Sequence, residues 1–219
     1  MAVYYPQVFD AADEAAARAI ILTDEGAGAD TDTRWARETP YLVGLVREHI
    51  RLGPESLVLD YGCGIGRMAR ALIEATGCRV IGVDISARMR AMAAEHVADE
   101  RFLAVSPVQL DGMVRHGLRA DAALAVWVLQ HCLAPAEDID RLGRALAPGG
   151  RVFVLNMPGR AVPAVQEEGR EARFLWAADG IDVAALLRGR FAVEAAGEPD
   201  MTRVPRMSSI GAYWMVLRG

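Results

Sequence analysis

Leu57-Val58-Leu59-Asp60-Tyr61-Gly62-Cys63-Gly64-Ile65-Gly66 decides the fold. A short branched apolar run ends in a carboxylate, three alternate glycines follow, and a helical pattern opens at Arg67. Glycine permits a positive φ in a tight turn and lets backbone approach a ligand closely. Amides at the start of the next helix then point at whatever lies above the strand end. Taken alone, such a loop suits several nucleotide-like ligands. Its spacing is informative, because a dinucleotide loop has its third glycine three residues after the second. Here the pattern is G-x-G-x-G.

Outward from the loop, residues 80–83, 102–105, 122–128 and 152–155 are apolar runs without polar alternation. Parallel strands buried on both faces read this way. Between them lie helical patterns. Residues 67–76 close on Gly77, residues 87–96 open on Ser86 as N-cap, and residues 135–146 run from Pro135 to the stop Pro148-Gly149-Gly150. This alternation predicts a doubly wound α/β fold. Residues 157–171 hold Pro158, Gly159, Pro163 and Gly169, and an irregular excursion is expected there. A helix near 181–187 and strands at 191–195 and 212–217 follow, the strands joined by a loop over 197–209. Two strands joined without a helix are expected to be antiparallel. Ahead of the loop, residues 11–22 and 36–51 read as helices on either side of a loop at 26–33.

Bulk properties narrow the function. The chain has 219 residues, 53% of them hydrophobic, enough for one substantial core. No apolar run reaches the ~18 residues of a membrane span, and the first ten residues lack a leader pattern. A cytoplasmic location is the expectation. A net charge of −5 without a polybasic run weighs against nucleic acid as partner. No lysine occurs, which excludes Schiff-base chemistry and a phosphate-loop lysine within this chain. Four histidines and three cysteines show no metal-ligand spacing, so no metal is assigned.

Residues 58–66 closely resemble the first motif of the class I S-adenosylmethionine-dependent methyltransferases. The second strand, Val80-Ile81-Gly82-Val83-Asp84, ends in an acid 24 positions after Asp60 (84 − 60). An acid there can accept both hydroxyls of a ribose. By itself Asp84 would also suit a helix cap or NAD; the pair of acidic strand ends is what singles out the family. Residues 120–131 are similar to the family's fourth strand and turn, and Leu146-Ala147-Pro148-Gly149-Gly150 to the lead-in of its fifth, so the resemblance spans about residues 57–156. It implies a mostly parallel seven-stranded sheet with an antiparallel last strand, and a single domain. Residues 1–52 would form an N-terminal helical lid, 53–156 the cofactor core, and 157–219 an acceptor-side insertion with the last two strands.

The implied activity is methyl transfer from S-adenosylmethionine to O, N or C of a small-molecule acceptor by in-line displacement, leaving S-adenosylhomocysteine. Such a reaction chiefly needs positioning and exclusion of water. Asp60, Gly62, Cys63 and Gly64 would surround the methionine part of the cofactor, with Cys63 as a small space-filler. Asp84 would hold the ribose, and Ile85 and Met89 the adenine. Val126 and Trp127 would line the cofactor pocket from the fourth strand, although Trp127 also suits the core. Ser106, Pro107 and Val108 align with the family's adenine-reading turn, but Ser106 replaces the usual acid. The fourth strand lacks the Asn/Asp-Pro-Pro-aromatic signature of base and glutamine amino-methylases, which argues against those acceptors. No catalytic residue is assigned. His131 is a candidate base, with a capping or packing histidine as the alternative. Tyr4, Tyr5 and Trp35 either enclose the sulfonium or pack the lid onto the core. The chain is expected to act as a monomer or homodimer. Three alternatives remain: a cofactor-binding module without turnover, a protein or RNA methyltransferase, and a nicotinamide-dependent oxidoreductase. The glycine spacing argues against the last.

Overall fold

A computed structural model of the chain describes residues 3–24, 30–165, 173–200, 202–204, 207 and 210–219. The first elements are β1 (Val3–Tyr4), a 3-10 turn over Pro6–Phe9, α1 (Glu14–Ile21) and α2 (Thr31–His49). The core follows as β2 (Leu57–Tyr61), α3 (Arg67–Thr76), β3 (Arg79–Val83), α4 (Ala87–Val97), β4 (Phe102–Val105), α5 (Pro107–Arg115) and β5 (Ala120–Val126). A 3-10 turn over Leu129–His131 leads to α6 (Pro135–Ala145) and β6 (Leu146–Asn156). The remainder comprises β7 (Ala161–Val165), β8 (Arg173–Trp176), α7 (Val183–Arg190), β9 (Ala192–Gly197) and β10 (Tyr213–Arg218).

Seven strands form one sheet in the order β4-β3-β2-β5-β6-β10-β9. Strands β2 to β6 pair in parallel, while β10 runs antiparallel to both β6 and β9. The expected sheet is therefore present, with its antiparallel final strand. Chain order reverses between β2 and β5, so the crevice at their carboxyl ends is where a doubly wound sheet places a ligand. Each face carries a core layer. Leu42, Val46, Met68 and Leu72 cover Leu124, Phe153 and Leu155 on one side. Leu110, Leu129, Ile139 and Leu142 cover Leu59, Ala123 and Val154 on the other.

The structure departs from the sequence reading in several places. Helix α2 starts at Thr31, five residues before the expected 36, because Asp30 caps it by accepting from the Thr33 amide at 2.9 Å. Of the loop expected over 26–33, residues 26–29 lie outside those described, and residues 31–33 are the first turn of α2. Helix α5 was not foreseen. It opens on a capping box in which Ser106 Oγ accepts from the Gln109 amide and Gln109 Oε1 from the Ser106 amide, with Pro107 in the first turn. Strand β5 ends at Val126 rather than 128, because Trp127 turns at φ +59°. Strand β6 begins at Leu146, directly after α6, and continues through Pro148-Gly149-Gly150.

The excursion after β6 is not wholly irregular. Strand β7 pairs antiparallel with both β1 and β8, making a second sheet in the order β1-β7-β8. Residues 166–172 lie outside the described set. The pairing is non-local, joining residue 3 to residue 165. A local reading of Ala-Val-Pro-Ala-Val had no way to supply that partner. Among the described residues, no helix is long and apolar enough to cross a membrane.

Candidate functional site

The carboxyl ends of β2, β3 and β5 open into a cavity of about 900 Å³, near the upper end of small-molecule sites, ~300–1,000 Å³. The glycine loop forms its floor. Gly62, Gly64 and Gly66 all have positive φ, at +73°, +54° and +82°. A Cβ on Gly62 would lie 2.4 Å from Val128 Cγ2, and one on Gly64 would lie 2.7 Å from Ile21 Cδ1. Conformation favours glycine at all three, and at Gly62 the Val128 Cβ at 2.6 Å leaves no space for a side chain either. Gly62→Ala is expected to destabilise the fold by roughly 2–4 kcal/mol, adding left-handed strain to overpacking. Gly189, inside α7 with open space around it, should respond oppositely, gaining about 0.5–1 kcal/mol on substitution by alanine. Urea denaturation of both variants checks the pair of signs.

Asp60 is 2% exposed. It accepts from the Ala69 amide and lies near the Arg67 guanidinium, yet burial outweighs both and lifts its pKa to about 7. Its Oδ2 atom has no hydrogen-bond partner among the described residues. A buried carboxylate oxygen left in this way is costly unless something else binds it. Arg67 is itself buried, and desolvation lowers its pKa to about 10. Asp84 accepts from the Gly64 amide at Oδ2 and the Ser86 amide at Oδ1, both at 2.9 Å. Burial raises its pKa to about 6 against those bonds. Each oxygen keeps a second lone pair.

Trp127 supplies a second polar atom without a partner among the described residues, its Nε1. Residues of β5 alternate between the two core layers, Ala123 and Ala125 on one face and Ala122 and Leu124 on the other. Val126 and Trp127 both pack on the same layer. The left-handed φ at Trp127 accounts for this. It turns the indole onto the face that Asp60 shares by alternation with Val58, and so into the cavity wall. A positive φ at a bulky residue is strained and marks functional sites.

The N-terminal segment covers the loop. Ser86 Oγ donates to Asp10 Oδ1 at 2.6 Å, Ile21 sits against Gly64, and Tyr4 and Phe9 line the cavity. Arg34 of α2 also lines it and is ion-paired with Glu38 at 2.8 Å. On the far side Tyr61, Asp138 and Arg141 are joined by hydrogen bonds, and Arg141 also reaches Asp111 at 3.0 Å.

His131 lies in the wall with its Nδ1 2.6 Å from the Ala161 carbonyl oxygen. That oxygen can only accept, so Nδ1 carries the proton and Nε2 holds the lone pair. Gln130 Nε2 lies 3.2 Å from that lone pair, its amide oriented by Oε1 accepting from the Met157 amide. Burial lowers the His131 pKa, leaving the ring neutral at pH 7.

Of the residues expected to form the cofactor shell, Asp60, Gly62, Cys63, Gly64, Asp84, Ile85, Met89, Pro107, Val126 and Trp127 line this one cavity. Ser106 and Val108 do not. The Ser106 side chain is spent on its capping box, and Val108 is exposed on the first turn of α5. Of Tyr4, Tyr5 and Trp35 only Tyr4 reaches the wall; Tyr5 is exposed, and Trp35 packs between Arg18, Arg67 and His96. His96 meets Trp35 and Glu14. Sequence reasoning missed Arg34, Arg67, Tyr61 and the α6 acids as wall residues. Arg34 and the α6 acids read as ordinary packing or surface until α2 and α6 are set against the sheet, while Tyr61 ends β2 and Arg67 opens α3 beside the loop.

Residues 29–183 match the methyltransferase-domain family. The tRNA U34 carboxymethyltransferase of Cellvibrio japonicus is 28% identical over 65% of this chain and 43% of its own length. The malonyl-[acyl-carrier protein] O-methyltransferase of Enterobacter lignolyticus is 27% identical over 70% of this chain and 62% of its own. The chain thus spans about half the length of these curated relatives. Among solved structures, the [4+2]-cyclase SpnF superposes with a TM-score of 0.60 at 18% identity, covering 89% of this chain and 84% of that one. A fold shared with a cyclase does not by itself set the reaction.

Proposed function

Because the chain belongs to the class I S-adenosylmethionine-dependent methyltransferases, we propose that it transfers a methyl group from S-adenosylmethionine to a small-molecule acceptor. The observation that carries this reading is the buried Asp60 Oδ2, without a hydrogen-bond partner among the described residues, beside the glycine loop and Asp84 in one cavity. The residues present fit the cofactor. Asp60 Oδ2 suits an ammonium, and Arg67 and Arg34 supply cations for a carboxylate in the same wall. Asp84 has a lone pair on each oxygen for two ribose hydroxyls, with Ile85, Met89 and Pro107 as apolar walls for a base. Cys63, Val126 and Trp127 fill the remaining wall. When bound, S-adenosylmethionine supplies an electrophilic methyl group.

Residues 1–52 serve as the lid, 53–156 as the cofactor core and 157–219 as the acceptor side. Asp10, Ile21 and β1 fasten the lid over the loop and exclude water. Neutral His131 holds its lone pair toward Gln130 and, by exchanging that bond for a substrate O–H, takes the acceptor proton. If the acceptor is a hydroxyl, His131→Ala is expected to lower kcat about 100-fold while S-adenosylhomocysteine affinity stays within about twofold. The base role fails if kcat holds.

Incubation with methyl-labelled S-adenosylmethionine and a metabolite pool tests the activity, with bulk tRNA and a protein extract as separate arms. Label in small molecules that is absent with the Asp84→Ala variant is expected. Label confined to tRNA or protein would replace the acceptor class. Cofactor binding without label in any arm would leave a binding module.

A further inference from the structure

We propose that the acceptor is a neutral molecule with an aryl or alkyl arm, held at the cavity mouth between Trp176 and Leu133. This deepens the methyltransferase reading and rests on it. Trp176 is 72% exposed and Leu133 57% exposed, and both line the cavity. Large apolar side chains left in water at a cavity rim mark a binding surface more than they mark a fold.

The two are held there by a built support. Arg160 is 3% exposed, and its guanidinium bonds the Asp179 carboxylate and the carbonyls of Cys132 and Leu133. The Arg160 carbonyl accepts from the Ala177 amide at 2.9 Å. One residue therefore ties the backbone beside both rim residues, at Leu133 through its guanidinium and at Ala177 through its carbonyl. The rim also adjoins His131. Trp176 is the cross-strand partner of Ala161, whose carbonyl anchors the His131 ring, and Leu133 follows His131 by two residues. The Trp176 ring lies over Gly159, where a Cβ would come within 2.8 Å of it. Inside the mouth, Phe9 meets His131 edge-on at 6.1 Å.

Charge argues for a neutral arm. Three arginines (Arg34, Arg67, Arg141) and four carboxylates (Asp60, Asp84, Glu137, Asp138) line the cavity. The surplus is one negative charge, and S-adenosylmethionine carries one net positive charge. Cofactor and wall cancel, leaving no cation to offset a phosphate, and an uncompensated charge here would be costly to bury.

The test titrates 4-alkylphenols, from methyl to hexyl, and 4-hexylphenyl phosphate into protein with and without saturating S-adenosylhomocysteine. Affinity for the phenols should rise about threefold per methylene. Trp176→Ser and Leu133→Ser should each flatten that slope and weaken 4-hexylphenol about tenfold, with S-adenosylhomocysteine affinity within about twofold of wild type. Val193→Ser, at an exposed apolar residue outside the cavity wall, should leave the slope alone. The phosphate ester should bind at least about tenfold more weakly than its phenol. A flat series in the wild type, a slope that survives both rim substitutions, or a phosphate ester binding as tightly as the phenol overturns the proposal. Failure of S-adenosylhomocysteine to bind is read separately and counts against the cofactor reading, while the series without it still decides the rim.

Discussion

Asp84→Ala is expected to abolish S-adenosylhomocysteine binding, the dissociation constant rising at least about 100-fold from an expected micromolar or lower wild-type value. The reason lies in what Asp84 does twice. Its free lone pairs would accept the two ribose hydroxyls, and hydrogen bonds to a charged group contribute about 1.5–3 kcal/mol each. Its other lone pairs take the Gly64 and Ser86 amides, so the same carboxylate ties the glycine loop to the start of α4. Alanine removes the ligand contacts and the tie together. Asp84→Asn keeps one acceptor oxygen and should fall between the two. Isothermal calorimetry measures all three proteins. Wild type that ignores S-adenosylhomocysteine but binds NADH would refute the cofactor assignment; an alanine variant that binds normally would remove Asp84 from it.

The strands of the parallel core, the three glycines and the two acidic strand ends were legible because each is a local pattern. A strand buried on both faces must be apolar along its length, and a turn held at positive φ calls for glycine. What escaped the sequence was non-local. The sheet β1-β7-β8 joins residues 3–4 to residues 164–165, and Arg160 reads as a surface arginine until Asp179 and two carbonyls are brought around it. Trp127 is a different case. The strand pattern continues through it, and only its backbone turn, invisible in residue types, moves the indole to the Asp60 side. Helix α5 was missed despite a readable signal, since Ser106-x-x-Gln109 with proline at the first position is a capping box.

Asp60→Asn should make the ligand-free protein more stable at pH 8 while weakening its hold on S-adenosylhomocysteine about 30-fold or more, the loss of one charged bond. In the unfolded chain Asp60 titrates near 3.8, and in the folded one near 7, because burial disfavours its charge more than Arg67 and the Ala69 amide favour it. The folded state therefore holds the proton to higher pH. The contribution of Asp60 to stability is fully present below about pH 4 and is lost as pH rises through about 7. The loss amounts to about 4 kcal/mol by pH 8, for a rise from 3.8 to about 7 at 1.36 kcal/mol per unit. Asparagine cannot ionise, so its urea midpoint should exceed wild type at pH 8 and approach it at pH 5. Ligand binding runs the other way. An ammonium at Oδ2 favours the ionised form, so wild-type protein near pH 6.5 should release protons on binding S-adenosylhomocysteine, and its affinity should rise from pH 5.5 to 7.5. Titrations in phosphate and in Tris, whose ionisation enthalpies differ, read that release directly, and Asp60→Asn should lose most of it, leaving the part due to Asp84. If wild type takes up no buffer-dependent heat, or if asparagine destabilises the protein at pH 8, then Asp60 is not a buried carboxylate waiting for a cation, and the loop must bind its ligand by backbone alone.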